Sequence, residues 1–196
     1  MSEKGIMGKA RLEAFSDGVI AVIITIMVLE MKVPHGTGLD VLAPMWPVVL
    51  AYVLSYIYVG IYWTNHHHLL HAIDHVTGGI LWANLHLLFW LSLVPFVTGW
   101  MSENHFAPVP TALYGVVLVM ASLAYYLLLQ CLIAVHGKDS RLARSVGDKR
   151  KEKISTAIYV VAIPLAFVQW WLAFGLYCVV AAMWIVPDRR IEKKIT

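Results

Sequence analysis

The sequence predicts an all-α integral membrane protein of six transmembrane helices, organised as a single membrane domain over residues 1–196. Three observations carry that reading. Apolar residues make up 60% of the chain and charged ones only 14%, against about 25% charged in ordinary soluble domains, and the mean hydropathy is +0.71. The apolar stretches tile nearly the whole length, leaving no room for a soluble domain of about 100 residues. Fourteen of the fifteen Lys and Arg residues fall in three clusters outside those stretches: Lys4, Lys9 and Arg11; Lys138 through Lys153; and Arg189 through Lys194.

A membrane span needs about 17 to 25 apolar residues. The first is expected over about residues 12–33 and is closed by the turn chemistry of Pro34-His35-Gly36-Thr37-Gly38. Lys4, Lys9 and Arg11 before an apolar run would also suit a signal peptide. Asp17 stands where that run begins, however, and no small-x-small cleavage site precedes Met31-Lys32-Val33-Pro34, so the segment is expected to stay in the chain. The second span is expected over 45–72, its helix running on through Asn65-His66-His67-His68 to His71. The third, 78–101, carries Asn84 and His86 among apolar neighbours, and Pro110 opens the fourth, 110–136.

The last apolar block, Ile154 to Pro187, is 34 residues long, too long for one comfortable span and short for two. Charge decides between them. Dividing the block near Gln169-Trp170, into spans 152–169 and 171–187, puts all three basic clusters on one side of the membrane, as the positive-inside rule prefers. Both termini are then cytoplasmic, in a multi-pass protein of the cell membrane. The basic loop from Lys138 to Lys153 reads as a topology determinant whose neighbours are lipid headgroups.

The first span is the one that carries chemistry. At about 100° per residue, Arg11, Gly18, Val22, Thr25 and Leu29 fall in a stripe roughly 60° wide with Ile26 at its edge, while Asp17 points about 100° away. One helix therefore has two faces with different work. A carboxylate in a membrane helix is expensive enough to imply a role, and Arg11 lies six residues earlier, too far round for a good ion pair. Donors are expected from Trp63, Asn65, His66, His67 and His68 at the end of the second helix and from Asn84 and His86 on the third.

Histidines raise the question of a metal. His67 with His71, and His71 with His75, are i,i+4 pairs that would suit zinc on one helical face. Only Asp74 and no Cys accompany them, so packing and polar networking are expected, with no metal and no other cofactor. A His-rich metal or proton transporter is the alternative function. Cys131 and Cys178 lie in apolar runs and read as small buried hydrophobes. The chain has no G-x-S-x-G, no H-E-x-x-H and no phosphate-binding Gly loop, so it is not expected to be an enzyme. Nothing points to nucleic acid, and the T-V-G-Y-G carbonyl filter of ordinary potassium channels is absent.

Taken together, Arg11-x-x-x-Phe15-Ser16-Asp17 opening the first helix, Trp63-x-x-His66-His67 closing the second, and Asn84-Leu85 followed by Leu93-x-Pro95-Phe96-x-Thr98 in the third resemble the transmembrane protein 175 family. These are the potassium channels of endosomes and lysosomes and their prokaryotic homologues. The likeness covers essentially the whole chain. It implies a six-helix subunit assembled as a homotetramer, with the first helices lining a central potassium-conducting pore that is moderately selective over sodium. Aliphatic layers on that helix form the constriction and gate. By distance from the motif, the layers fall on Val22, Ile26 and Leu29, and a hydroxyl on Thr25. Val22 stands where the family often has the larger Ile or Leu. The resemblance further implies that Arg11, Phe15, Ser16 and Asp17, with Trp63, His66, His67 and Asn84, form the interhelical network holding the pore helix. Potassium ions, membrane lipids and further copies of the chain are the partners it implies.

Overall fold

The structure, a computed structural model, describes residues 8–137 and 150–185, and every regular element among them is helical. The first helix, α1 (Lys9–Leu29), buries Leu12, Ser16, Ile20, Ile23 and Met27. Their spacing of three or four residues makes one stripe. Only 28% of its most apolar window is covered by the rest of the chain, so the opposite side of α1 faces outward. A short 3-10 segment, Leu39–Met45, leads directly into α2 (Trp46–His71). Pro47 sits in the first turn of α2, where its missing N–H leaves no helical bond unmade.

The third apolar stretch differs from a single straight span. It is two helices, α3 (Gly78–Ser92) and α4 (Val94–Glu103), meeting at Leu93. Pro95 is the physical reason: it has no N–H to offer Leu91 and its ring crowds that carbonyl. The break is one residue wide, and Val97 N already returns to Leu93 O at 3.1 Å. From α4 the chain turns through His105 and Phe106, both at positive φ (50° and 59°), into α5 (Pro108–His136). Gly137 at φ +90° ends that helix in a conformation suited to glycine. A hairpin of α6 (Arg150–Val168) and α7 (Trp170–Ile185) follows, turning at Gln169.

Four helical stretches among the described residues are long and apolar enough to cross a membrane: Lys9–Leu29, Leu39–His71, Gly78–Glu103 and Pro108–His136; α7 is a shorter apolar helix. The basic residues Lys4, Lys138, Arg141, Arg144, Lys149, Arg189, Arg190, Lys193 and Lys194, on which the predicted orientation leans, lie outside the described residues, as does the end of the sixth predicted span beyond Ile185.

Helix α5 runs through the middle, packed on α3, α4, α6 and α7, while α1 lies along α2, α3 and α4. Between α2, α5 and α7 the core is a layer of buried tyrosines. Tyr58 donates to Tyr177 O at 2.6 Å, Tyr177 donates to Thr111 O at 3.1 Å, and the Tyr114 and Tyr177 rings lie 5.4 Å apart. Gly115 makes the last contact feasible, since a Cβ there would collide with the Tyr177 hydroxyl. At the end of the bundle where α2 begins, Phe106 stacks on both Trp46 (5.8 Å) and Trp170 (4.9 Å), whose own rings lie 6.5 Å apart, so that the three form a cluster. That packing holds Phe106 in place at its positive φ.

Candidate functional site

The buried side of α1 is tied to the bundle by one unbroken chain of hydrogen bonds, and its chemistry can be read atom by atom. Ser16 donates its hydroxyl proton to Leu12 O (2.9 Å), one turn back, so its oxygen is left to accept. Asn84 Nδ2 on α3 donates to it at 3.0 Å. The amide oxygen of Asn84 then faces His66 Nε2 on α2 at 2.7 Å, and because that oxygen only accepts, Nε2 carries the proton. Ser16 and Asn84 have no solvent exposure and His66 has 2%. Three side chains therefore fix the relative position of three helices, and an unpaired member would cost about 1–3 kcal/mol.

A second tie lies one residue along. Trp63 Nε1 donates to Asp17 Oδ1 at 2.9 Å on the exposed side of the α1–α2 contact, which gives the motif carboxylate its partner. At the start of α1, Lys9 Nζ donates to His71 O at 3.2 Å. Other members of the predicted network are placed differently. The Arg11 side chain is exposed and makes no hydrogen bond or ion pair among the described residues. Phe15 is half exposed and lies along a groove instead. His67 stacks on His71, ring centroids 5.9 Å apart, and tilts over Trp63 at 6.5 Å. His86, expected as a donor to Asp17, instead accepts from Trp90 Nε1 at 3.0 Å on its own helix.

The other side of α1 is uncovered. Val22, Ile26 and Leu29 are 54%, 40% and 79% exposed, and Thr25 is exposed between them. Thr25 donates its proton to Val22 O at 2.9 Å, so the lone pairs of its oxygen are left for an outside partner. Beside this face runs an open groove of about 1360 Å³, walled by Phe15, Gly18, Val22 and Ile26 of α1, Tyr52 of α2, and Phe96 and Gly99 of α4. At its mouth Lys32 pairs with Glu103 at 2.7 Å, and the hydrogen bond to Glu103 holds the Lys32 ammonium above its ordinary range.

A polar cluster that the sequence reading passed over joins α2, α4 and α5. Ser55 Oγ lies 2.7 Å from Thr98 Oγ1 and 3.1 Å from the Tyr114 hydroxyl, all three buried. The available signal was the spacing of Ser55, Tyr58 and Tyr62 at i, i+3 and i+7, which puts hydroxyls on one face of an apolar helix. The predicted i,i+4 pair of His71 with His75 does not share a helix, because α2 ends at His71. Beyond it Ile73 and Val76 turn into the core and Thr77 caps α3, accepting from Ile80 N. Among the described residues no group of three or more His, Cys, Asp or Glu side chains converges as a metal site.

Comparison with known proteins places this geometry. The chain is 52% identical over 189 residues to a potassium channel of Chryseobacterium sp. (strain P1-3), covering 96% of this chain and 98% of that protein. The chain belongs to the TMEM175 family. The family profile, described as endosomal/lysosomal potassium channel TMEM175, matches residues 11–95, the part that holds α1 and its partners on α2 and α3. A potassium channel of Streptomyces collinus is 35% identical over 133 residues, covering 64% of this chain and 62% of that protein. Among solved structures, a lysosomal potassium-selective channel TMEM175 homologue from Chamaesiphon minutus matches with a TM-score of 0.78 at 28% identity, covering 91% of this chain and 96% of the other. The chain is thus a multi-pass membrane protein of an ion-channel family, and that family is not a class of enzymes.

Proposed function

We propose that this protein is a potassium channel of the cell membrane, formed by four copies of the chain around a pore lined by α1. One observation carries the reading. Helix α1 is clamped along one side through Ser16, Asn84 and His66, while Val22, Thr25, Ile26 and Leu29 stay free on the other. Clamping only one side leaves a rigid, outward-facing apolar rail, the element that a pore without a carbonyl filter requires. The names of the relatives as potassium channels support the choice of ion.

Mechanistically, Val22, Ile26 and Leu29 supply stacked apolar rings about 10 Å long at ~1.5 Å per residue. Water leaves such a ring readily, so it closes by dewetting. Four Thr25 oxygens replace part of the hydration shell that a cation sheds there. They do so without needing to turn a hydroxyl, because each proton is already engaged with Val22 O. Potassium, with the cheaper dehydration, passes in preference to sodium by a moderate margin. In this reading the chain crosses six times with both termini cytoplasmic, the α6–α7 hairpin giving the last two passages. No cofactor takes part; potassium is the permeant ion and lipids surround the tetramer.

Flux through the purified protein in liposomes tests the reading. Leu29→Asn is expected to raise potassium flux and to lower the potassium-to-sodium ratio, since a polar ring stays wet. Flux unchanged by substitution at Val22, Ile26 and Leu29 alike contradicts it. Joint replacement of His67, His71 and His75 separates the channel from a His-based metal or proton transporter: the channel keeps its potassium flux and the transporter loses transport.

A further inference from the structure

His75 and His136 come from places 61 residues apart in the chain, the turn between α2 and α3 and the last residue of α5. Their ring centroids nevertheless lie 4.5 Å apart. The potassium pathway uses neither residue. The tautomer of His136 follows from its surroundings. Its Nδ1 lies 3.0 Å from Leu132 O, a carbonyl that only accepts, so Nδ1 holds the proton and Nε2 presents a bare lone pair. That Nε2 is shielded from solvent and has no hydrogen-bond partner among the described residues.

A buried acceptor left without a donor is costly, at about 1–3 kcal/mol, and native structures rarely leave one without a reason. The His136 ring packs at a tilt of 41° against a second imidazole, that of His75, which is exposed and gives access from solvent. An imidazole whose far nitrogen donates to a backbone carbonyl, so that the near nitrogen is deprotonated and held in direction, is the usual arrangement of a metal-ligating histidine. Such a ring with a second imidazole packed against it suits a borderline divalent cation of the zinc and copper class better than magnesium or calcium, which take oxygen ligands.

We propose that His136 Nε2 and His75 form a two-imidazole site for a zinc-class divalent cation, with water completing the coordination, which fastens the α2–α3 turn to the end of α5. The site is separate from the i,i+4 pair His67 and His71, whose rings stack on each other along α2. It also stands whether or not α1 lines the pore, because its readout is metal binding and not conduction.

The test is zinc binding to the full-length protein in detergent after treatment with EDTA, followed by calorimetry and by thermal unfolding. One saturable zinc ion per chain is expected, with a rise in Tm on adding zinc. His75→Ala and His136→Ala should each weaken binding at least about tenfold, as loss of even a supporting residue around a metal commonly does, and each should abolish the Tm rise. His67→Ala with His71→Ala should leave both readouts intact. Because His75 is exposed, His75→Ala decides the question even if the His136 variant fails to fold. Unchanged zinc affinity in His75→Ala overturns the proposal. So does binding that disappears with the His67 and His71 replacements instead, or zinc uptake that does not saturate.

Discussion

The Ser16–Asn84–His66 chain and the Ser55–Thr98–Tyr114 cluster are both buried hydrogen-bonded groups linking three helices, yet they join different parts of the molecule. The first attaches α1 to α2 and α3; the second joins α2, α4 and α5 to each other behind it. In the first, each bond depends on the next, because Asn84 uses its amide nitrogen toward Ser16 and its oxygen toward His66. In the second, Thr98 also donates to Val94 O at 2.7 Å on its own helix, so it retains a partner whatever happens to Ser55. Ser16 likewise keeps Leu12 O on its own helix, so what sets the first cluster apart is its centre: attachment of the proposed pore helix runs through an amide committed at both ends to other helices, and the body of the bundle is joined by hydroxyls alone.

The largest effect should come from the centre of the first cluster. Asn84→Leu leaves the buried His66 Nε2 without its acceptor, while Ser16 keeps Leu12 O, and is expected to lower stability by about 1–3 kcal/mol, read as a fall in Tm in detergent and in the yield of assembled protein. A Tm equal to that of the parent would remove the cluster from the account of how α1 is held. Gly115→Ala comes next. The added methyl meets the Tyr177 hydroxyl, and overpacking of this kind costs about 1–3 kcal/mol; Tyr177→Phe in the same chain should recover part of the loss.

Ser55→Ala sharpens the contrast between the layers. Its expected cost is about 1 kcal/mol, near the measured range for hydrogen bonds between membrane helices, and so distinctly below that of Asn84→Leu. Equal losses would show that the two layers do not differ in the way their bonding implies. Smallest of all should be Lys32→Gln, because the Lys32–Glu103 pair is exposed and such pairs contribute little. No change in Tm at either low or high salt is the expected result.

The difference between the layers also explains what the sequence could tell. Asp17, His66 and Asn84 stand out because a charge, an imidazole or an amide in an apolar run needs a partner on another helix. Ser16 was legible beside them in the motif. Ser55, Thr98 and Tyr114 carry hydroxyls, and a hydroxyl can satisfy itself on the carbonyl one turn back, as Ser16, Thr98 and Thr25 all do to some degree. Such residues carry no visible debt, and their convergence emerges only with the fold.

Arg11 and His67 illustrate the opposite case. Both belong to the motifs, but among the described residues the hydrogen bonds run through their neighbours Ser16, Asp17 and His66. The break at Leu93 was written in Pro95, which the sequence reading used as a motif residue and not as a helix breaker. The His75–His136 pair was illegible because it joins a turn to the end of a helix 61 residues away, a contact only the fold creates, and the i,i+4 pairing of His71 with His75 assumed helix beyond His71, where α2 ends. The all-helical membrane class, by contrast, followed from composition together with the apolar stretches that tile the chain and the basic clusters between them.

The claim that most needs a direct test is that the free face of α1 lines the ion path. With Cys131 and Cys178 replaced by Ala, single cysteines at Leu29, Ile26 and Val22 on the free face, and at Ile23 on the clamped face, can be treated with a charged, water-soluble thiol reagent in liposomes during potassium flux. The account predicts that flux is blocked at Leu29→Cys and persists at Ile23→Cys. Block at Ile23→Cys with potassium flux untouched at Leu29, Ile26 and Val22 would contradict it.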